Sequence, residues 1–328
     1  MKWITTIVLV LAGLVIYGLY KKNQAPDLAA EYRYALSDVD EIAEIKINYR
    51  LIDPDILLEK KQDFWLLNGK YRVREDAMEN LLNAIKKIEL QYIPTAAARK
   101  NMMVDLATTG TKVEILNKKG EVLKAFFVGG TTPDERGTYM IMDGSQSPAV
   151  VTLTGFEGSI RPFFIMPEID WRDRIVYRED PDLIEELTVD YPQQPQSSFS
   201  IRRQEDSYQV FPMDDRIAVD EFQPKRGAVE AYFQNYRSVG AEAIMDNQAL
   251  ISSLQTRQPF ARVLIRRSDQ TSYETQFYPV DTELSATSKR IERYHLLDDQ
   301  GNLFLVQHLL FGKLFLGFDY FFEENPTN

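Results

Sequence analysis

Two histidines, His295 and His308, are the side chains best suited to proton transfer near neutral pH, and both lie in the C-terminal half. A Ser–His–acid triad on either would need partners brought in by folding, because triads assemble in space rather than along the chain. Neither histidine has a counterpart in the N-terminal half, so both read as positions on strands of an aromatic-rich sheet. Cysteine is absent, which removes disulfides, thiol nucleophiles and cysteine-based metal sites. Forty-nine acidic residues make a pair of glycosidase carboxylates easy to nominate, but a solvated surface accounts for them more simply. Asp298, Asp299, Gln300, Gly301 and Asn302 carry oxygen donors, yet lack the alternating acids and distant Glu of a calcium loop, and read as a hairpin turn. No Gly-rich phosphate cradle, nucleophile elbow or His-Glu-x-x-His helix occurs. Neither a nucleotide, a cofactor nor a metal is expected.

Binding chemistry has better candidates. Residues 129–136 form a Gly-Gly-Thr-Thr-Pro-Asp-Glu-Arg stretch between two expected strands. Thr131, Thr132, Asp134, Glu135 and Arg136 are the residues nominated there for contact with a partner, since exposed loops on a rigid frame carry recognition. A longer counterpart spans residues 279–293. The second candidate is a terminal aromatic run, Phe311, Phe315, Phe318, Tyr320, Phe321 and Phe322. His308, Lys313 and Asp319 interrupt it, so it does not suit a membrane span, and closure of a core is the favoured reading.

The frame that must position these residues shows two similar halves. Ile45, Ile47 and Tyr49 alternate as a half-buried strand does, and Leu187, Val189 and Tyr191 repeat them. Asp63 and Trp65 recur as Asp206 and Tyr208. A helical stripe of Met78, Leu81, Leu82, Ile85 and Ile88 matches Val229, Tyr232, Phe233, Tyr236 and Val239. Val113 and Ile115 then answer to Val263 and Ile265, and Tyr139 and Asp143 to Tyr294 and Asp298. The preserved order argues for a diverged internal duplication. In the first copy, strands are expected near 44–49, 56–60, 64–67, 112–116, 122–128, 138–142 and 149–153, with a helix over 75–90. Glu75 and Asp76 at its start and Lys86 and Lys87 near its end suit the helix dipole.

A length of 328 residues accommodates two domains and a tether, and 44% apolar with 27% charged residues is ordinary for folded protein. A net charge of −11 argues against nucleic acid, whose phosphates call for concentrated Lys and Arg. Residues 3–20 carry no charge and are bracketed by Lys2 and by Lys21 and Lys22. As a helix this run reaches about 27 Å, close to the hydrocarbon thickness of a bilayer. Trp3, Tyr17 and Tyr20 fall where interfacial aromatics belong. No small-x-small cleavage pair follows, so an uncleaved signal-anchor holding the chain to the lipid bilayer is expected. The flanking charges are balanced and leave orientation open.

The strand at 44–49, the Trp65-Leu66-Leu67-Asn68-Gly69 turn, the helix ending at Ile88, and the Phe127-Val128-Gly129-Gly130 block followed by Gly137-Thr138-Tyr139 resemble a bacterial envelope family, domain of unknown function 4340. The likeness covers most of the chain after the stalk. It implies an extracytoplasmic accessory subunit, a neighbour of gliding-motility-type ABC transporter auxiliary proteins, and brings no catalytic residues with it. The expected fold is α+β: an N-terminal transmembrane helix, then two tandem, diverged modules of mostly antiparallel sheet with packed helices. Boundaries are expected at 1–22 for the anchor, 23–41 for a stalk, 42–167 and 182–328 for the modules and 168–181 for a linker. The expected function is a non-enzymatic accessory or scaffold subunit in the bacterial inner membrane, its bulk periplasmic and its partner a membrane protein such as a transporter subunit. An envelope hydrolase, a carbohydrate-binding protein and a cytoplasmic-facing adaptor are the alternatives.

Overall fold

The computed structural model describes residues 28–205, 207–218, 223–280 and 291–323. The expected anchor at residues 3–20 lies outside these, as do residues 281–290 of the longer loop. Among the described residues no helix is long and apolar enough to cross a membrane. The fold is α+β and mostly antiparallel, in two compact units, Met1–Asp173 and Arg174–Asn328.

In the first unit, helix α1 (Leu28–Glu31) precedes strands β1 (Ile42–Asn48), β2 (Ile56–Lys60), β3 (Trp65–Leu67) and β4 (Tyr71–Arg72). Helix α2 (Glu75–Lys87), β5 (Ile88–Tyr92) and helix α3 (Ala96–Thr109) follow, then β6 (Thr111–Asn117), β7 (Val122–Thr131), β8 (Thr138–Met142) and β9 (Ala149–Leu153). Helices α4 (Arg161–Phe164) and α5 (Glu168–Trp171) complete it. The nine strands form one sheet in the order β4-β3-β2-β1-β6-β7-β8-β9-β5. Alternation along β1 and β6 turns Ile45, Ile47, Val113 and Ile115 to one face, where they share a core with Met78, Leu81 and Ile85 of α2. Helix α3 packs on β7 and β8.

The second unit opens with β10 (Ile175–Tyr177), β11 (Ile184–Asp190), β12 (Phe199–Gln204) and β13 (Ser207–Pro212). After helix α6 (Ala228–Gln234), β14 (Val239–Gly240), β15 (Ala243–Met245) and helix α7 (Gln248–Gln255) come β16 (Ala261–Arg267), β17 (Ser272–Pro279), β18 (Arg293–Asp298), β19 (Leu303–Gln307) and helix α8 (His308–Phe311). Its eight-stranded sheet runs β13-β12-β11-β16-β17-β18-β19-β15, the first unit's order without β4. Through the central strands the registers agree. Ile45 lies between Leu58 and Ile115, and Leu187 between Ile201 and Ile265. The Tyr49 hydroxyl donates to the Met166 carbonyl at 2.7 Å, and that of Tyr191 to the Leu316 carbonyl at 2.8 Å.

The structure corrects several local expectations. Helix α2 ends at Lys87, and Ile88–Tyr92 turns outward to pair with β9, because the edge of β9 offers a ladder that outweighs helix propensity. Helix α3 has no counterpart in the sequence reading: it buries only Met102 and Leu106, too few to mark an apolar stripe. In β8 and β18 the match is one residue different from that expected. Val128 pairs with Met140 and its counterpart Phe277 with Leu296, which aligns Tyr139 with His295 and Asp143 with Asp299. A shift by one turns a side chain to the opposite face, so Tyr294 stands where the first unit has the buried Thr138.

Segments read as connections contribute to the cores. Tyr34, in the expected stalk, is 1% exposed, donates to the Met140 carbonyl at 3.1 Å and packs edge-on against Phe126. Trp171, in the expected linker, is fully buried in the first unit, and Tyr177 in the second. The terminal aromatics close the second core as expected, with Phe311, Phe318 and Phe321 buried.

Candidate binding grooves

The Asn68-Gly69 pair shapes the first groove. Both residues are left-handed, with φ of 50° and 67°, in the three-residue turn between β3 and β4, a geometry that Asn and Gly tolerate best. The Asn68 side chain accepts from the Leu57 N–H at 2.7 Å and donates to the Asp55 carbonyl, tying the turn to β2. This short hairpin presents Phe64 and Trp65 beside helix α2. Between them lies an open groove of about 630 Å³, with Val73 and Met78 buried in its floor and Leu82 and Val39 along its side. Trp65 is half-buried, and its indole N–H meets no acceptor among the described residues.

Charge is graded along this groove. Glu75 and Glu79 lie toward the start of α2, and Lys86 and Lys87 at its end. Glu75 pairs with Arg72, whereas Glu79, Lys86 and Lys87 are exposed and make no ion pair among the described residues. An apolar floor with opposite charges at its two ends suits a peptide segment with an apolar middle and the reverse polarity.

The second unit has a groove at the equivalent place, about 350 Å³, lined by Tyr208, Val210, Pro224, Val229 and Phe321. Tyr208 takes the position of Trp65: it pairs with Arg203 as Trp65 pairs with Lys60. It is held, however. The Arg203 guanidinium lies 4.7 Å from its ring and bonds its hydroxyl, which donates to the Pro181 carbonyl at 3.3 Å. Burial pushes the Tyr208 hydroxyl above its ordinary pKa, with Arg203 acting in the opposite direction.

Of residues 129–136, Gly129–Thr131 end β7 and the rest form a hydrogen-bonded turn. Thr132 is buried; its hydroxyl donates to Asp134 at 2.6 Å and accepts from the Gly137 N–H at 2.9 Å. That hydroxyl, followed by the Arg136 N–H, holds the Asp134 carboxyl below the usual carboxylate range. The Thr131 hydroxyl is bonded to Ser159, and Asp134, Glu135 and Arg136 are exposed. Gly129 and Gly130 belong to β7 and serve packing. A Cβ on Gly129 would stand 2.8 Å from Leu106 Cδ2 and 2.9 Å from Asp105 Oδ2 of α3, and the Gly130 N–H donates to Asp105 at 2.7 Å.

The histidines are separate. His308 Nδ1 lies 3.1 Å from the Tyr294 hydroxyl; burial, then Arg257, lowers the pKa of His295. Among the described residues no cluster of His, Cys, Asp and Glu is arranged to hold a metal ion. Asp298 accepts from the Gln300 and Asn302 N–H groups and the Asn302 side chain, the expected hairpin turn. The grooves themselves were missed in the sequence. Their signal was the matched aromatics, Trp65 and Tyr208, each ahead of an amphipathic helix.

Fold and grooves define a two-unit antiparallel α+β protein with a groove between hairpin and helix in each unit. The family described as domain of unknown function (DUF4340) matches residues 65–256, more than half of the chain, and the chain belongs to that family. The match begins at Trp65 and runs through the helix of each groove. No curated protein and no solved structure matches the chain.

Proposed function

We propose that this chain is a non-catalytic docking subunit of a bacterial envelope complex, anchored by residues 3–20 with its two units on the periplasmic side. The observation that carries the reading is the first groove, whose apolar floor, half-buried indole without an acceptor among the described residues, and graded rim charge fit a protein segment. The anchor rests on the uncharged run and its flanking lysines. The family resemblance supports a membrane partner, with a transporter subunit as the first candidate.

In-cell photocrosslinking from Asn83, on the groove rim, tests this. A single adduct with one membrane protein is expected, lost when Trp65→Ala is added to the same chain. No adduct from a folded chain, or one indifferent to Trp65→Ala, overturns the docking reading. A compartment-sensitive reporter fused after Asn328 tests the orientation, and cytoplasmic activity of that fusion would refute it.

A further inference from the structure

We propose that the outer edge of β5 pairs antiparallel with β5 of a second copy of this chain, Leu90 opposite Leu90. Strand β5 is the last in its sheet, bonded on one side to β9. Among the described residues nothing hydrogen-bonds along its other side, and an edge of this kind is a template for another strand. Its side chains do not protect it. Leu90 is 39% and Tyr92 49% exposed, and Ile93 continues the patch.

The other sheet ends are blunted. Strand β4 is two residues long, with the Arg172 guanidinium 3.7 Å from the Tyr71 ring and an isolated bridge joining Val73 to Arg172. In the second unit β15 has three residues, and β13 ends in Pro212. Strand β5 has neither device, though a bulge between Leu90 and Tyr92 limits how far a partner can extend.

The occupant follows from self-complementarity. Centred on Leu90, the pairing sets leucine against leucine and Glu89 against Gln91 of the other copy. Centred on Glu89, it would set two carboxylates face to face, which cross-strand pairs disfavour. The short run and the bulge make this a weak, symmetric contact. It does not depend on the membrane reading.

The absence of cysteine makes the test clean. Directly opposed residues of antiparallel strands have Cα atoms about 4.5–5.5 Å apart, within the reach of a disulfide. Leu90→Cys in the full chain should form disulfide-linked dimers under mild oxidation about tenfold faster than Leu51→Cys, an exposed control. A mixture of Glu89→Cys and Gln91→Cys chains should cross-link to each other faster than either does to itself. Dimerisation of Leu90→Cys at the control rate overturns the proposal, as does cross-linking that favours another register. For the unaltered chain, sedimentation should show mass rising with concentration, and a constant monomer mass up to about 1 mM would also refute it.

Discussion

At matched positions the two units solve the same packing problem with different side chains. In the first, Gly129 lets α3 approach β7 so closely that Leu106 and Asp105 occupy the space of an absent Cβ. In the second, the register places Tyr278 at that point, buried beside Ile251 and Leu254 of α7. On the opposite face, Leu81 of α2 has Tyr232 of α6 as its counterpart. Tyr232 donates to the Leu314 carbonyl at 2.7 Å and its hydroxyl lies 2.8 Å from that of Tyr236. At this position a single frame thus tolerates an aliphatic side chain that needs only shape and an aromatic one that must also satisfy a hydroxyl. The grooves differ too: among the described residues the Trp65 indole N–H meets no acceptor, while Tyr208 is held by Arg203 and Pro181.

The contrast can be broken by substitution, beginning in the first unit's core. Leu81→Ala should cost roughly 2–5 kcal/mol in denaturant unfolding, because it opens a cavity beneath α2 that rigid neighbours cannot fill. Gly129→Ala should cost about 1–3 kcal/mol, since the added methyl must displace Leu106 and Asp105; a neutral result would show that α3 is held less closely than described. Tyr232→Phe keeps the ring and should cost about 1 kcal/mol, the net worth of the lost hydrogen bonds. A cost matching Leu81→Ala would mean that the hydroxyl network, not ring packing, organises the second core.

The smallest effect concerns pH. Burial raises the pKa of Asp298 above its ordinary value despite the N–H groups that bond it. A carboxyl raised in the folded state binds its proton more tightly there than when unfolded, so its contribution is fully present at pH below the unfolded value and is lost as pH climbs through the folded one. Relative to Asp298→Asn, the parent should therefore lose stability as pH rises from the ordinary carboxylate range upward, measured by thermal melts of both proteins. A parent that gains stability relative to Asp298→Asn over that window would contradict the burial described.

Strand alternation made most of the sheet legible: 56–60, 138–142 and 149–153 match their strands to the residue. The stripe from Met78 to Ile88 likewise identified the helix over each core. What the sequence hid depended on neighbours. Ile88–Tyr92 continues an apolar period and became a strand only because β9 lay beside it. Tyr34 and Trp171 looked like connection residues because their burial comes from the opposite ends of the unit. Gly129 and Gly130 marked out the 129–136 stretch, and at Gly129 the glycine also permits the close approach of α3, which no local pattern foretells. The groove needed three segments, the hairpin at Trp65, Val39 and the helix face at Leu82, which no local pattern joins.

On the proposed function the first groove is a docking site and its counterpart, with its aromatic already held, is not. Photoreactive residues at Asn83 and at Gln234, its exposed equivalent on α6, measure this in one experiment. The account predicts a partner adduct from position 83 that disappears with Trp65→Ala, and none from position 234. Equal adducts from both positions, or an adduct from 234 alone, would contradict it.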